Sequence, residues 1–160
     1  MKKTVLILLM WVAANSMFAQ QAILTKNKPG TFPIVADKKA TPLYVDGADD
    51  WLVQKAAALL QTDLEKVTGK KPDLVHSLPK QTKNIIIIGS IQESAPIRYL
   101  LQINKLSIDS LRGKWEAFQI GVVPNPYPCI DNALVIAGSD KRGTAYGVFE
   151  LSKQLGVSPW

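Results

Sequence analysis

Asn84-Ile85-Ile86-Ile87-Ile88-Gly89-Ser90 is an unbroken β-branched apolar run closed by glycine. Successive side chains of a strand point to opposite faces, so four isoleucines in a row need cover on both. That requirement places the run inside an α/β sheet. A second run, Ala133-Leu134-Val135-Ile136-Ala137, is also closed by Gly-Ser, at Gly138-Ser139. A short internal duplication would explain the likeness. Two core strands leaving one sheet in the same way explain it more simply.

Helical patterns surround these strands. From Asp50 to Thr68, Leu52, Ala56, Leu59, Leu60, Leu64 and Val67 recur at helical spacing and define one apolar stripe. Asp49 or Asp50 can cap the start, Gly69 supplies a left-handed stop, and Pro72 prevents continuation. Thr41 to Asp46 reads as a short strand ended by Gly47, and Ser94 to Leu101 as a short helix with Pro96 in its first turn. Trp115 to Val123 alternates as a strand, with Phe118, Ile120 and Val122 on one face. The stretch Pro124-Asn125-Pro126-Tyr127-Pro128 reads as a rigid, irregular loop. Lys141-Arg142-Gly143-Thr144 leads into a final helix ending near Leu155, before Gly156. Trp51, Trp115 and Tyr146 sit in patterned elements and read as core. Strands alternating with helices predict one α/β (α+β layer) domain.

The first residues carry an address. Lys2 and Lys3 precede an apolar run from Thr4 to Ala14, and small residues follow up to Phe18-Ala19-Gln20. This is the signal-peptide pattern, with cleavage after Ala19 favoured over Ser16, so residues 1–19 read as a leader of export. The run is shorter than the roughly 20 residues a membrane span needs. Residues 20–40 read as an extended segment and 41–160 as the domain. The expected compartment is the periplasm, the cell surface or the exterior, with no stable membrane span after cleavage. With one cysteine, Cys129, the chain forms no internal disulfide and relies on packing. The formal charge of +6 falls to +4 without Lys2 and Lys3, and the remaining cations are scattered. Nucleic-acid binding calls for a clustered basic face, so none is expected.

Few residues carry chemistry. His76 is the only histidine, and no serine lies in a nucleophile elbow, so a Cys129–His76 pair has little support. One histidine and one cysteine leave a metal site to carboxylates alone, so none is expected, and no cofactor motif is present. Glycoside hydrolysis uses two facing carboxyls. Glu116 and Asp140 are the only acids at promising positions, without anything that pairs them. The most informative segment is Gly138-Ser139-Asp140-Lys141-Arg142-Gly143-Thr144, between a buried strand and a helix start. Ser139, Asp140, Lys141 and Arg142 could face an anion there, Arg142 with a bidentate fork. Asp140 as a helix cap beside two solvated cations accounts for the same residues, and the chemistry alone favours that account.

The segment Gly138 to Trp160, GSDKRGTAYGVFELSKQLGVSPW, closely resembles the end of the N-terminal domain in glycoside hydrolase family 115. AAALLQTDLEKVTGKKP (56–72), IIIIGS (85–90) and Gly113-Lys114-Trp115-Glu116-Ala117-Phe118 agree with it, so the likeness covers about Phe32 to Trp160. These enzymes are xylan α-1,2-glucuronidases, which remove (4-O-methyl)glucuronic acid branches. The resemblance implies a mixed sheet with helices packed on it, preceding a (β/α)8 barrel that carries the catalytic acids. It carries over no catalytic residue, no metal and no cofactor onto this chain. The implied partners are that barrel, absent from these 160 residues, and a glucuronoxylan-type polysaccharide. Val148, Phe149, Leu151 and Leu155 make the last helix apolar on more than one side, and Val157-Ser158-Pro159-Trp160 follows it. Both fit a domain that a barrel normally covers, and point to a truncated or incompletely read gene. A stand-alone exported module binding acidic glycans and a non-functional gene remnant are the alternatives.

Overall fold

The computed structural model describes residues 31–157. The expected export leader (1–19), residues 20–30 of the expected extended segment and the Ser158-Pro159-Trp160 ending lie outside those residues.

The element order is β1 (Val35–Ala36), β2 (Lys39–Ala40), β3 (Leu43–Val45), α1 (Trp51–Thr68), β4 (Leu74–Val75), β5 (Thr82–Ser90), α2 (Ala95–Gln102), β6 (Phe118–Tyr127), β7 (Ile130–Gly138) and α3 (Lys141–Gln154). Five strands form one mixed sheet in the order β4-β3-β5-β7-β6. The pairs β3/β4, β3/β5 and β5/β7 are parallel, and β6 runs antiparallel to β7 at the edge. The expected α/β layer with a mixed sheet is therefore the observed one.

The isoleucine run sits where its composition requires. Ile86 and Ile88 face Leu43, Val45, Leu134 and Ile136, under α1 and α3. Ile85 and Ile87 face the opposite way, with Tyr44, Ile97, Leu100, Leu111, Ala133 and Val135. All four isoleucines are fully buried. At roughly 1.5–3 kcal/mol for each large aliphatic side chain taken out of water, this strand anchors both layers of core.

α1 buries Val53, Ala56, Ala57, Leu60 and Leu64. The stripe is rotated relative to the one expected: Leu59 and Val67 are exposed. Asp50 is the cap, accepting the Leu52 N–H at 2.9 Å, and Gly69 closes the helix in the left-handed conformation at φ 67°. Ser94 precedes α2 and Pro96 lies in its first turn, as expected.

Three readings change. Pro124 to Tyr127 belongs to β6 rather than to an irregular loop, with a register shift between Pro124 and Tyr127. Proline lacks the N–H a central strand must donate, and an edge strand tolerates that loss. Trp115 lies before β6, not in it. Residues 32–40 also contribute to the domain: β1 and β2 form a hairpin through Asp37 and Lys38 at positive φ, and Phe32 and Ile34 pack on the core.

The shared Gly-Ser endings have a local cause. A Cβ at Gly89 would strike the Ser94 hydroxyl, and one at Gly138 would strike the Thr144 backbone nitrogen. In each case the following helix folds back tightly over the strand end, and glycine leaves the room.

Candidate functional site

The carboxyl ends of β3, β5 and β7 lie side by side, the edge at which open α/β sheets place ligands. Each parallel strand delivers a short polar segment there. After β3 come Asp49 and Asp50, Ser90 ends β5 and Gln92 follows it, and after β7 come Ser139 to Arg142. The loop before β6 adds Lys114, Trp115 and Glu116. An open cleft of about 350 Å³ is lined by Gln92, Lys114, Trp115, Glu116, Ser139, Asp140, Lys141 and Arg142. All four candidate residues read from the sequence thus line one cleft.

Their roles divide. Ser139 is buried: its N–H donates to the Ala117 carbonyl at 2.8 Å, and its hydroxyl accepts the Ala117 N–H at 3.0 Å. Asp140 caps α3, accepting the Gly143 N–H at 2.8 Å through one oxygen and the Glu116 N–H at 2.7 Å through the other. Partial burial pushes the Asp140 carboxyl up, but these N–H donors, the Ser139 hydroxyl and the Arg142 N–H outweigh it and hold it below the usual carboxylate range. The capping role therefore holds for Asp140, and Ser139 and Asp140 together clamp the 115–117 loop onto the start of α3.

Lys141 and Arg142 face solvent but are not free. Lys141 Nζ lies 3.0 Å from Asp50 Oδ2, and Arg142 Nη1 lies 2.9 Å from Glu116 Oε1. Arg142 also donates from Nη2 to the Tyr146 hydroxyl at 3.3 Å. The Leu52 N–H, and after it the Lys141 ammonium, holds the Asp50 carboxyl low, while the Asp50 hydrogen bond raises the Lys141 ammonium. With both cationic side chains more than half exposed, these pairs are exchangeable contacts rather than fixed supports.

Glu116 and Asp140 come together, but not as a hydrolytic pair. Glu116 bonds Arg142, and Asp140 stays ionised, whereas a general acid needs a raised pKa. His76 Nδ1 lies 3.1 Å from the Val45 carbonyl, at the carboxyl end of β3. Cys129 lies in the β6–β7 turn, where its carbonyl accepts the Thr82 N–H at the start of β5. The sheet separates the two residues to opposite ends. Among the described residues no cluster of histidine, cysteine, aspartate or glutamate could hold a metal ion, and no helix is long and apolar enough to cross a membrane.

The patterning of the sequence places Trp51, Trp115 and Tyr146 in the core, and the structure overturns this. Trp115 is 89% exposed, Trp51 73% and Tyr146 40%. Trp115 stands in the loop clamped by Ser139 and Asp140, and Trp51 opens α1 beside the Asp50 cap. The chain of contacts Asp50–Lys141 and Arg142–Glu116 therefore runs between two exposed indoles along one edge. Trp115-Glu116-Ala117-Phe118 mimics strand alternation, so nothing local distinguishes it from a core segment.

The sequence offers Asp49 only as an alternative cap. It is buried, and its carboxylate accepts the Ser90 N–H at 2.8 Å, the Ser90 hydroxyl at 2.9 Å and the Asp50 N–H at 2.8 Å. It ties the end of β3 to the end of β5 and fixes the floor of this edge.

No family model and no curated protein matches the chain. Among solved structures, a family GH115 4-O-methyl-α-glucuronidase, described as having specificity for decorated arabinogalactans, is similar to it. The two share 31% sequence identity with a TM-score of 0.60, over 76% of this chain and 14% of that one. This chain thus spans a small part of that protein's length, and its mixed α/β fold is that of a GH115-related domain.

Proposed function

We propose that this chain is the non-catalytic N-terminal domain of an exported glycoside hydrolase that removes (4-O-methyl)glucuronic acid branches from plant polysaccharide, xylan being the first substrate to try. The structural likeness to a GH115 glucuronidase at 31% identity carries the reading. The signal-like residues 1–19 support export, and the commitment of Glu116 and Asp140 to ion pair and cap supports a role outside the chemistry. The catalytic barrel acts in cis, and the loop from Ser139 to Arg142 faces it. The test is a side-by-side assay for uronic acid released from glucuronoxylan and from decorated arabinogalactan. The product of the complete reading frame releases uronic acid, and residues 1–160 alone release none. Release by residues 1–160, or none by the complete product, contradicts the proposal.

The exposure of Trp115 favours a second reading, a stand-alone exported module for acidic glycans. It predicts retention of the chain on immobilised glucuronoxylan that weakens with salt and is lost on combining Lys141→Ala with Arg142→Ala.

A further inference from the structure

The cleft holds one group whose exposure no internal contact explains. Trp115 presents 89% of its surface to water, although an indole is among the largest apolar bodies a protein can bury. Its backbone is held in place. Gly113 and Glu116 adopt positive φ of 70° and 54°, the Glu116 N–H is fixed by Asp140, and Ala117 is bonded to Ser139 through both its N–H and its carbonyl. A ring presented on a fixed backbone loses little freedom on meeting a ligand.

Positive charge adjoins the ring. Lys114 forms no ion pair among the described residues, and Arg142 commits only part of its donor fork to Glu116 and Tyr146. The N-terminus of α3 is not what offers this charge, because Asp140 already occupies the Gly143 N–H. The cleft therefore offers a flat apolar face beside solvent-exposed cations. A neutral sugar would use the face alone, and a simple carboxylate the cations alone. A uronic acid carries both complements, C–H groups on the pyranose face and a carboxylate at its rim.

We propose that Trp115, with Arg142 and Lys114, forms a subsite for a uronic-acid residue of a polysaccharide. The subsite rests on the reading that this domain serves uronate-decorated glycans.

The test follows the indole N–H signals of the full chain by NMR while sodium D-glucuronate, methyl glucoside or sodium acetate is added. The Trp115 signal is the one that disappears in Trp115→Ala. Glucuronate shifts it with a dissociation constant on the order of 1 mM, the weak binding expected of one exposed sugar site. Arg142→Gln weakens binding about tenfold, as truncation of an anchoring arginine does. Lys114→Gln, at an exposed site without an ion pair, weakens it several-fold and guards against misfolding of the Arg142 variant. Methyl glucoside and acetate each bind at least about tenfold more weakly than glucuronate. Absence of any glucuronate response overturns the subsite, as does an equal response to either control. A Trp115 unresponsive to all three, yet shielded from a soluble quencher in the product of the complete reading frame, assigns the ring to a domain interface and also overturns it. Neither result alters the release assay above, so the two readings fail separately.

Discussion

The buried carboxylate of Asp49 accepts both the backbone N–H and the hydroxyl of Ser90, at 2.8 and 2.9 Å, across 41 positions of sequence. The contact joins the loop after β3 to the last residue of β5, beneath the edge that carries the cleft. Asp49→Ala leaves both Ser90 donors buried without a partner, which costs about 2–4 kcal/mol in total. Urea unfolding should show that loss, with a smaller one for Asp50→Ala, whose cap lies at the surface.

Asp140 links this edge to acid stability. Its native pKa is depressed, so its contribution is complete above the unfolded-state value near 4 and is lost as pH falls through the lower native value. Asp140→Asn therefore flattens the fall in stability as pH drops below about 4 without abolishing it, since the Asp50 carboxyl is also held low. Thermal unfolding across that range checks the change in slope.

Gly143 lies against the loop that presents Trp115. A Cβ there would strike the Ala117 carbonyl oxygen, whereas one at Gly121 would meet nothing within 4 Å. Gly143→Ala should cost about 2 kcal/mol or more, because backbone must move to admit the methyl group. Gly121→Ala should change stability by less than about 1 kcal/mol. Paired denaturation curves separate the two.

Trp51→Ala and Trp115→Ala should each leave the unfolding free energy within about 0.5 kcal/mol of the parent chain, as expected of side chains that stand largely in water. Both indoles should be freely quenched by acrylamide. A loss of several kcal/mol in either variant would place the ring in a core.

The strands covered on both faces were legible because Ile85 to Ile88 allow no other placement in water. The span of α1 was legible because Asp50 and Gly69 mark its ends by local chemistry. Which side of α1 is buried was less so: Leu59 and Val67 are as apolar as Leu60 and Leu64, and only the position of the sheet decides between them. The prolines of 124–128 suppress a strand signal that an edge position restores. Ser139 to Arg142 were recognisable as a group from their place between strand and helix. The cap that Asp140 makes was legible as well, but the partner of Lys141 was not, because Asp50 stands 91 residues away and meets it only through the order of β3, β5 and β7. The exposure of Trp115 depends in the same way on hydrogen bonds that the Glu116 and Ala117 N–H groups donate to Asp140 and Ser139, more than 20 positions away.

The most direct test of the proposed role is the coding sequence immediately downstream of codon 160. The account predicts an open frame continuing into a region long enough to encode a (β/α)8 barrel, whose product releases uronic acid from decorated polysaccharide. A stop codon directly after Trp160 in intact DNA would contradict a catalytic barrel in cis.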